Sequence, residues 1–579
     1  MENPNKLKSA LLEARPIFIM VFIFAFVVNI FMLITPLYSL QVLDRVIGSR
    51  SKETLIYLSL LMLVLYIALT LLQTARSFTL IKLGEWLDKK VSPELFAISI
   101  RNSASGKNVG AANNLRDFQA VKGFLTSAGI NSFFDAPWSI VYIAVLFIIH
   151  PWMGWLSIIG SILILLSALV NAVAIGKGMA ESNEFNVRSM NQSEIAARNA
   201  EVVEAMGMMK SVVKNWSFFN EKALEHQSVA SYRNGVISNF SRYIIRMVLQ
   251  MLVTGLGAYL VITRPNEMST GGMIASSIIL GRALSPFDSA IEVWKQLTSA
   301  IKSYERVNKA FAVNEERHES IDLPAPSGRI SVENLYFSRQ SVMTKGKPNN
   351  QQQTEVLKNL NFEINSGDII AVVGPSASGK STLAKLLVGV WQPTQGTVRL
   401  DGADVFSWNR ENFGKYVGYL PQDIELFSGS IKDNIAKMNK DANAEDIIKA
   451  SQMAGAHDLI VRLPNGYETD IGVGGANLSG GQRQRLGLAR AFYGDLKLIV
   501  LDEPNANLDT VGEAALVNAV SNARQKGITV IIISHRPSIL KSVNKILYIS
   551  EGKVALYGKR DEVLEQIDLL TKAKTTGDN

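Results

Sequence analysis

With 579 residues, 47% of them apolar and 19% charged, the chain is long enough for more than one domain and more apolar than an average soluble protein. It has no cysteine, which excludes disulfides, thiolate metal centres and a cysteine peptidase while leaving the redox compartment open. The formal net charge of +8 is uneven, with 30 basic against 24 acidic residues in 1–327 and 29 against 27 in 328–579; the surplus belongs to the more apolar half and gives little support to a nucleic-acid partner.

In chain order, six apolar stretches come first, at 17–37, 55–72, 138–150, 153–174, 243–262 and 273–291. Most approach the roughly 20 residues a helix needs to cross a bilayer, so an α-helical six-span membrane domain is expected over 1–314, with lipid as its surroundings. The first run is too long for a signal-peptide core and no small-residue cleavage site follows it, which favours an uncleaved span. Lys and Arg crowd the N-terminal tail and the long segments 76–122 and 177–242, whereas the short loops 44–53, 150–152 and 264–270 hold only Arg45, Arg50, Lys52 and Arg264. The tail and both long segments are therefore expected in the cytoplasm. The long segments read as helices too polar for lipid, turning near 113–119 and 204–209, and those turns are expected to meet the second domain near Gln422.

Asp135, Arg282 and Asp288 are ionisable residues at bilayer depth, a costly placement that usually marks a cavity or a partner. Arg282 and Asp288 lie six residues apart, about 120° around a helix, so each is expected to meet partners on other spans or on a second protomer. Asn29, Asn171 and Gln250 are amides of the kind that bond neighbouring helices. Pro36 and Pro286 are expected to kink their spans. Residues 292–313 read as a helix leaving the bilayer, 315–327 as a charged, proline-punctuated linker, and 328–579 as the second domain. Within it, 330–337 alternates as an edge strand does, and 339–354 is a polar Lys, Asn and Gln-rich insertion that reads as a solvated loop.

The second domain is organised around a strand, loop and helix. An apolar run at 369–373 leads into Gly374, Pro375, Ser376, Ala377, Ser378 and Gly379, followed by Lys380, Ser381 and Thr382 at the start of a helical pattern. That context makes a phosphate cradle: the glycines let the backbone curl, and N–H groups and the helix N-terminus then point at phosphate oxygens. Lys380 would reach the β and γ phosphates and Ser381 a magnesium ion. Further on come Leu478-Ser-Gly-Gly-Gln482 and Leu498-Ile-Val-Leu-Asp-Glu503. The second has the apolar run of a buried parallel strand, whose C-terminal end would bring Asp502 to the magnesium and Glu503 to a water. Another apolar run, 528–533, ends in Ser534-His535, and Gln422 lies in a loop after the cradle.

This order resembles that of the ABC-type ATPases: Walker A at Gly374 to Ser381, Q-loop Gln422, signature Leu478 to Gln482, Walker B ending at Asp502, D-loop Asp509 and H-loop His535. The resemblance implies an α/β P-loop ABC ATPase domain fused to a type I ABC exporter membrane domain, with ATP and Mg2+ as cofactors. It implies Ser381, Gln422 and Asp502 around the metal, Glu503, His535 and Gln422 in catalysis, and a homodimer. Ser479, Gly480, Gly481, Gln482 and Asp509 of one copy would close over ATP held by the other. Several stretches are similar to the type I secretion ATPases of the PrtD-like group, which export proteases, lipases and repeat-rich proteins. They are Asp44-Arg-Val46, Phe134-Asp-Ala-Pro-Trp138, His150-Pro151, Gly281-Arg-Ala-Leu-Ser-Pro286, Gly418-Tyr-Leu-Pro-Gln-Asp423 and Asp502-Glu-Pro-Asn-Ala-Asn-Leu-Asp509. This resemblance implies ATP-driven export of an unfolded cargo with a C-terminal signal across a bacterial inner membrane. The implied partners are a periplasmic adaptor and an outer-membrane channel; a lipid or drug exporter is the alternative. The chain departs from the ABC pattern at Arg339, where many carry an adenine-stacking aromatic (Tyr336 and Phe337 are nearby), and at Val473, where many exporters carry Glu.

Overall fold

Helices far longer than a bilayer is thick build the first part of the chain. The computed structural model describes residues 6–105, 111–312, 322–340 and 353–576. It separates into two compact units, Met1–Asn102 with Val109–Asn314, and Ser103–Asn108 with Glu315–Asn579.

In the first unit, Lys52–Ala104 runs for 53 residues, Pro151–Arg198 for 48 and Thr270–Ala312 for 43. At 1.5 Å per residue these reach roughly 65–80 Å, against about 30 Å of hydrocarbon, so much of each helix lies outside lipid. Among the described residues, five helical segments are long and apolar enough to cross a membrane. Thr270–Ala312, which holds the expected sixth span, is long enough but contains Arg282, Asp288, Glu292 and Lys295. Its Ile279, Leu280, Ala283 and Leu284 are buried in a cluster with Tyr142, Leu146, Leu249 and Val253, so neighbouring helices and not lipid cover that face.

Several local expectations change. The first span breaks at Leu33, three residues before Pro36, whose missing N–H cannot bond the carbonyl of Met32; Ile34–Gln41 then resumes the helix. Pro286 sits inside Thr270–Ala312 without ending it. The third span starts earlier than residue 138: Ala128–Asp135, a 3-10 turn at Ala136–Trp138 and Ser139–Ile149 follow one another, so Asp135 lies within the helical segment. The turn expected near 113–119 is instead the helix Ala111–Thr126, which runs back along Lys52–Ala104, Asn114 bonding Ser99 and Lys122 bonding Asp88. That polar run is amphipathic: Phe118 and Phe124 are buried, and Asp117 accepts hydrogen bonds from Arg306 Nε and Nη2, both at 2.6 Å. The second reversal agrees with expectation, through Ala200–Ala205 and Gly207 (φ +62°) into Met209–Asn239. At the far end of the bundle, Asp44 accepts from Ser269 Oγ (2.5 Å) and Gly271 N (2.8 Å), capping the helix that begins at Thr270.

The second unit holds two sheets. Its strands are β1 (Ile330–Gln340), β2 (Gln353–Ile364), β3 (Ile369–Val373), β4 (Gln395–Leu400), β5 (Ala403–Asp404), β6 (Val417–Leu420), β7 (Leu498–Asp502), β8 (Thr529–Ile533), β9 (Lys545–Ser550) and β10 (Lys553–Lys559). The smaller sheet has the order β2-β1-β4-β5, so β1 is paired on both sides and is not an edge strand. Its alternation reports one buried face, while its hydrogen-bond partners come from distant sequence. The expected solvated loop also shrinks, since Arg339 pairs with Thr354 and Gln340 with Gln353; residues 341–352 of that loop lie outside the described residues.

The larger sheet has the order β10-β9-β3-β8-β7-β6, parallel from β9 to β6. Every residue of β3, β7 and β8 is buried, as in a parallel sheet covered on both faces. Alternate residues divide between two cores: Ile369, Ala371, Ile499, Leu501, Val530 and Ile532 on one face, Ile370, Val372, Leu498, Val500, Ile531 and Ile533 on the other. Fully burying such a side chain contributes roughly 1.5–3 kcal/mol, so these strands are the rigid base from which the following loops project.

Candidate active site

The sheet order decides the site. Along the sequence β3, β6, β7 and β8 are far apart, but in the sheet β3, β8, β7 and β6 are consecutive neighbours. Their carboxyl ends therefore set side by side the loop from Gly374, the Ser534-His535 pair, Asp502 with Glu503, and the loop holding Gln422. Ligands of open parallel sheets bind at that edge.

The loop after β3 is curled tightly. Gly374, Ala377 and Gly379 have φ of +152°, +62° and +99°. A Cβ on Gly374 would come within 2.0 Å of the Ile549 carbonyl oxygen on β9, so only glycine fits. Gly374→Ala should lower the thermal midpoint by several degrees, from about 1–3 kcal/mol of strain, and weaken nucleotide binding; an unchanged melting curve would remove this packing argument. Lys380, 8% exposed, donates to the carbonyls of Gly374 (2.9 Å) and Pro375 (2.7 Å), which holds its ammonium across the mouth of the loop. Burial pulls that ammonium below the usual lysine range, opposed by the carboxylates of Glu503 and Asp502.

Two buried polar atoms here have no partner among the described residues, Asp502 Oδ1 and Ser378 Oγ. Burial pushes the Asp502 carboxyl above the usual range, against a hydrogen bond with Ser381 that lowers it. A buried carboxylate with an open oxygen beside a serine hydroxyl fits a hard divalent cation shared with phosphate oxygens. Glu503, one residue on, leaves the strand with φ +49°, its N–H donating to the Ile533 carbonyl of β8 (3.0 Å). Such a backbone costs on the order of 1–3 kcal/mol for a non-glycine residue. Two side chains hold its carboxylate: Gln422 Nε2 donates to Oε2 at 3.5 Å, and His535 Nε2 lies 3.4 Å from Oε1.

The signature residues start a helix, Gly480–Ala491, with Ser479 as its cap; Ser479 Oγ accepts from Gln482 N (3.3 Å) and Ser479 N donates to Gln482 Oε1 (2.8 Å). This reciprocal cap satisfies two end groups and leaves the glycines uncluttered at a helix N-terminus. Asp509 likewise caps Thr510–Gln525, accepting from Gly512 N at 2.8 Å, and binds Arg485 Nη2 at 2.5 Å. These bonds hold its carboxyl below the ordinary range. Thr382 follows Ser381 in the first turn of Lys380–Leu387.

Three supports of the site went unnoticed in the motifs. Arg485 ties Asp509 to the signature helix, Gln484 Nε2 donates to the Pro504 carbonyl (2.7 Å), and Ser534 Oγ donates to Asn505 Oδ1 (2.9 Å). The last two fix the loop after Glu503 from both sides; only the proximity of Gln484 and Arg485 to the signature could have signalled them. Phe337 stacks on Trp391, centroids 5.1 Å apart, and Lys385 lies 4.6 Å over the Trp391 ring, so Phe337 is engaged within the fold, while Arg339 is exposed.

In the membrane unit Asp288 and Asp135 find partners on other helices, whereas Arg282 has no hydrogen bond or ion pair among the described residues. Arg246 Nη1 donates to Asp288 Oδ2 (2.9 Å), and Arg76 Nη1 to Asp135 Oδ1 (3.1 Å). Arg282 and Asp288 are not paired with each other, as their helical spacing requires.

An ABC transporter family model matches residues 357–506, and a model of the ABC transporter transmembrane region matches 18–284. The type I secretion system ATP-binding protein PrsD of Rhizobium meliloti (strain 1021) is 40% identical over 562 residues, covering 96% of this chain and 94% of that relative. The alpha-hemolysin translocation ATP-binding protein HlyB of Escherichia coli is 29% identical over 573 residues, covering 97% and 78%. A solved bacterial Atm1-family ABC exporter with ATP bound shares the fold, with a TM-score of 0.81 at 19% identity over 98% of this chain and 99% of that one. A phosphate loop, a buried carboxylate and a signature helix on one parallel sheet, joined to membrane-crossing helices and to this kinship, establish that the chain belongs to the type I secretion ATP-binding proteins of the ABC transporters.

Proposed function

We propose that the chain is one half of a homodimeric ATP-driven protein exporter of the bacterial inner membrane, working with a periplasmic adaptor and an outer-membrane channel on an unfolded cargo with a C-terminal signal. The observation that carries the ATPase reading is the meeting of Lys380, Asp502, Glu503, His535 and Gln422 at the ends of four neighbouring strands. Kinship with PrsD supports protein cargo over a lipid or a drug.

In the proposed mechanism, the 374–379 loop, Lys380 and the N-terminal turn with Ser381 and Thr382 bind the phosphates of ATP. Asp502, Ser381 and Gln422 would hold magnesium, which when bound neutralises charge developing on the phosphates. Glu503 accepts the proton of the attacking water and passes it to solvent. His535 and Gln422 fix the Glu503 carboxylate, and His535 also reaches the γ phosphate. The helix N-terminus at Ser479, Gly480, Gly481 and Gln482, with Asp509, faces the ATP of the other copy, so hydrolysis requires two closed halves. Opening and closing of the halves drives the long helices that carry the cargo path.

Burial of Asp502 gives this site a pH dependence. Its folded pKa lies above the ordinary carboxylate value, so the uncharged acid persists to higher pH, and magnesium must displace that proton. Magnesium-dependent ATP binding should therefore fall away on acidification at a pH above the ordinary Asp value of about 3.9. Titration of nucleotide affinity with and without magnesium checks this; a magnesium contribution that persists to the ordinary carboxylate range would contradict it.

Purification of the tagged chain from its own host separates the two cargo readings. The exporter reading expects an adaptor protein to accompany it in the presence of cargo; the alternative expects no adaptor and ATPase stimulation by a lipid or drug.

A further inference from the structure

Away from the ATP site, the membrane unit holds a half-open cavity of about 280 Å³ whose walls are mostly polar. Arg76, 4% exposed, donates from Nη1 to Asp135 and from Nη2 to the Asn131 carbonyl, each at 3.1 Å, while its Nε is buried with no partner among the described residues. Asp135 Oδ1 also accepts from Asn29 Nδ2 (3.0 Å), and Asn29 Oδ1 accepts from the Tyr142 hydroxyl (2.9 Å). The carboxylate of the cavity wall is thus engaged by Arg76 and Asn29. Arg282 lines the same cavity, exposed to it, with no hydrogen bond or ion pair among the described residues. Asn131 Oδ1 is another buried atom without a partner among the described residues.

Two guanidiniums therefore share this cavity with one carboxylate, and the charge left over is on Arg282. A guanidinium presents a planar fork of donors that matches a carboxylate bidentately. The volume admits side chains of an extended segment and excludes a folded domain. We propose that this cavity binds a carboxylate of the extended polypeptide in transit, an Asp or Glu side chain or the chain's C-terminal carboxylate, with Arg282 as its counter-ion and the Arg76–Asp135 pair as the fixed wall that orients it. The inference rests on the protein-exporter reading, which is what brings a polypeptide to this cavity.

The test is binding of a short labelled Gly-Ser-Ala peptide with one central Asp and both ends capped, to full-length protein in phosphatidylcholine nanodiscs. Its Asn twin, and that twin with a free C-terminal carboxylate, complete the set. Wild type should bind a carboxylate-bearing peptide roughly tenfold more tightly than the capped Asn twin, as expected for hydrogen bonds to a charged group. The arm that gains, side chain or terminus, identifies the carboxylate. Arg282→Gln should abolish the preference and Arg282→Lys should retain part of it, which separates lost charge from lost folding. A wild-type preference within about twofold of unity, the value of a solvent-exposed pair, would overturn the proposal. So would an equal preference in Arg282→Gln. Repeating the measurement in phosphatidylglycerol discs should leave the preference intact; its loss there would assign the cavity to an anionic lipid headgroup and overturn the polypeptide assignment. The assay needs neither adaptor nor channel, so its failure leaves the exporter reading standing, while failed secretion by a chain that keeps the peptide preference would count against that reading alone.

Discussion

Glu503→Gln will bind ATP and remain closed around it, with turnover lower by about 10² to 10⁴, the usual loss when a positioned base is removed. The amide keeps the shape of the carboxylate but cannot take the proton of a water. It can still contact Gln422 and His535, which lie 3.5 and 3.4 Å from the native oxygens, so the loop should stay in place. Removing the buried Asp502 instead would affect the metal and with it nucleotide affinity, so the two variants separate chemistry from binding. Single-turnover hydrolysis beside nucleotide retention on a gel-filtration column reads both quantities. Wild-type turnover in Glu503→Gln would take Glu503 out of the role.

The second large effect concerns cooperation between copies. Lys380 and Ser479 stand at the starts of different helices, Lys380–Leu387 and Gly480–Ala491, each with its N-terminus available to phosphate. In the dimeric mechanism each ATP meets the Lys380 of one copy and the Ser479 of the other. Lys380→Ala and Ser479→Arg homodimers then carry a lesion in both sites and should be almost inactive. A heterodimer of the two places both lesions in one site and leaves the other intact. Random pairing should therefore restore roughly a quarter of wild-type hydrolysis if the sites act independently, and less if they are coupled. Either homodimer hydrolysing ATP like wild type would contradict shared sites, as would a mixture no more active than its components.

The motifs of the second unit were legible because each is a local pattern with one physical purpose: glycines where φ is positive at Gly374 and Gly379, an apolar run ending in carboxylates at Asp502 and Glu503. Their meeting was legible only through the resemblance to the ABC-type ATPases, not from the spacing of the residues. His535 follows Glu503 by 32 residues, and only the insertion of β8 between β3 and β7 brings the two within 3.4 Å. The same limit explains β1, whose alternation was readable while its second partner, β4, was not. In the first unit hydropathy outlined the spans but misjudged places where polar residues are buried against one another. Asn113 to Gln119 look like a turn until Asp117 meets Arg306 and Phe118 enters the core. Asp288 in the last apolar stretch meets Arg246 from another helix, a partner that helical spacing called for but could not name.

Export by this chain can be measured in whole cells. The chain, with the adaptor and outer-membrane channel of its host, should be expressed alongside a protein bearing an intact C-terminal signal, and that protein quantified in the medium. Wild type should deliver full-length cargo outside the cells, and Lys380→Ala and Glu503→Gln should retain it inside. Equal amounts outside with Lys380→Ala, or cargo retained by wild type while a lipid or drug is moved instead, would contradict ATP-driven protein export by this chain.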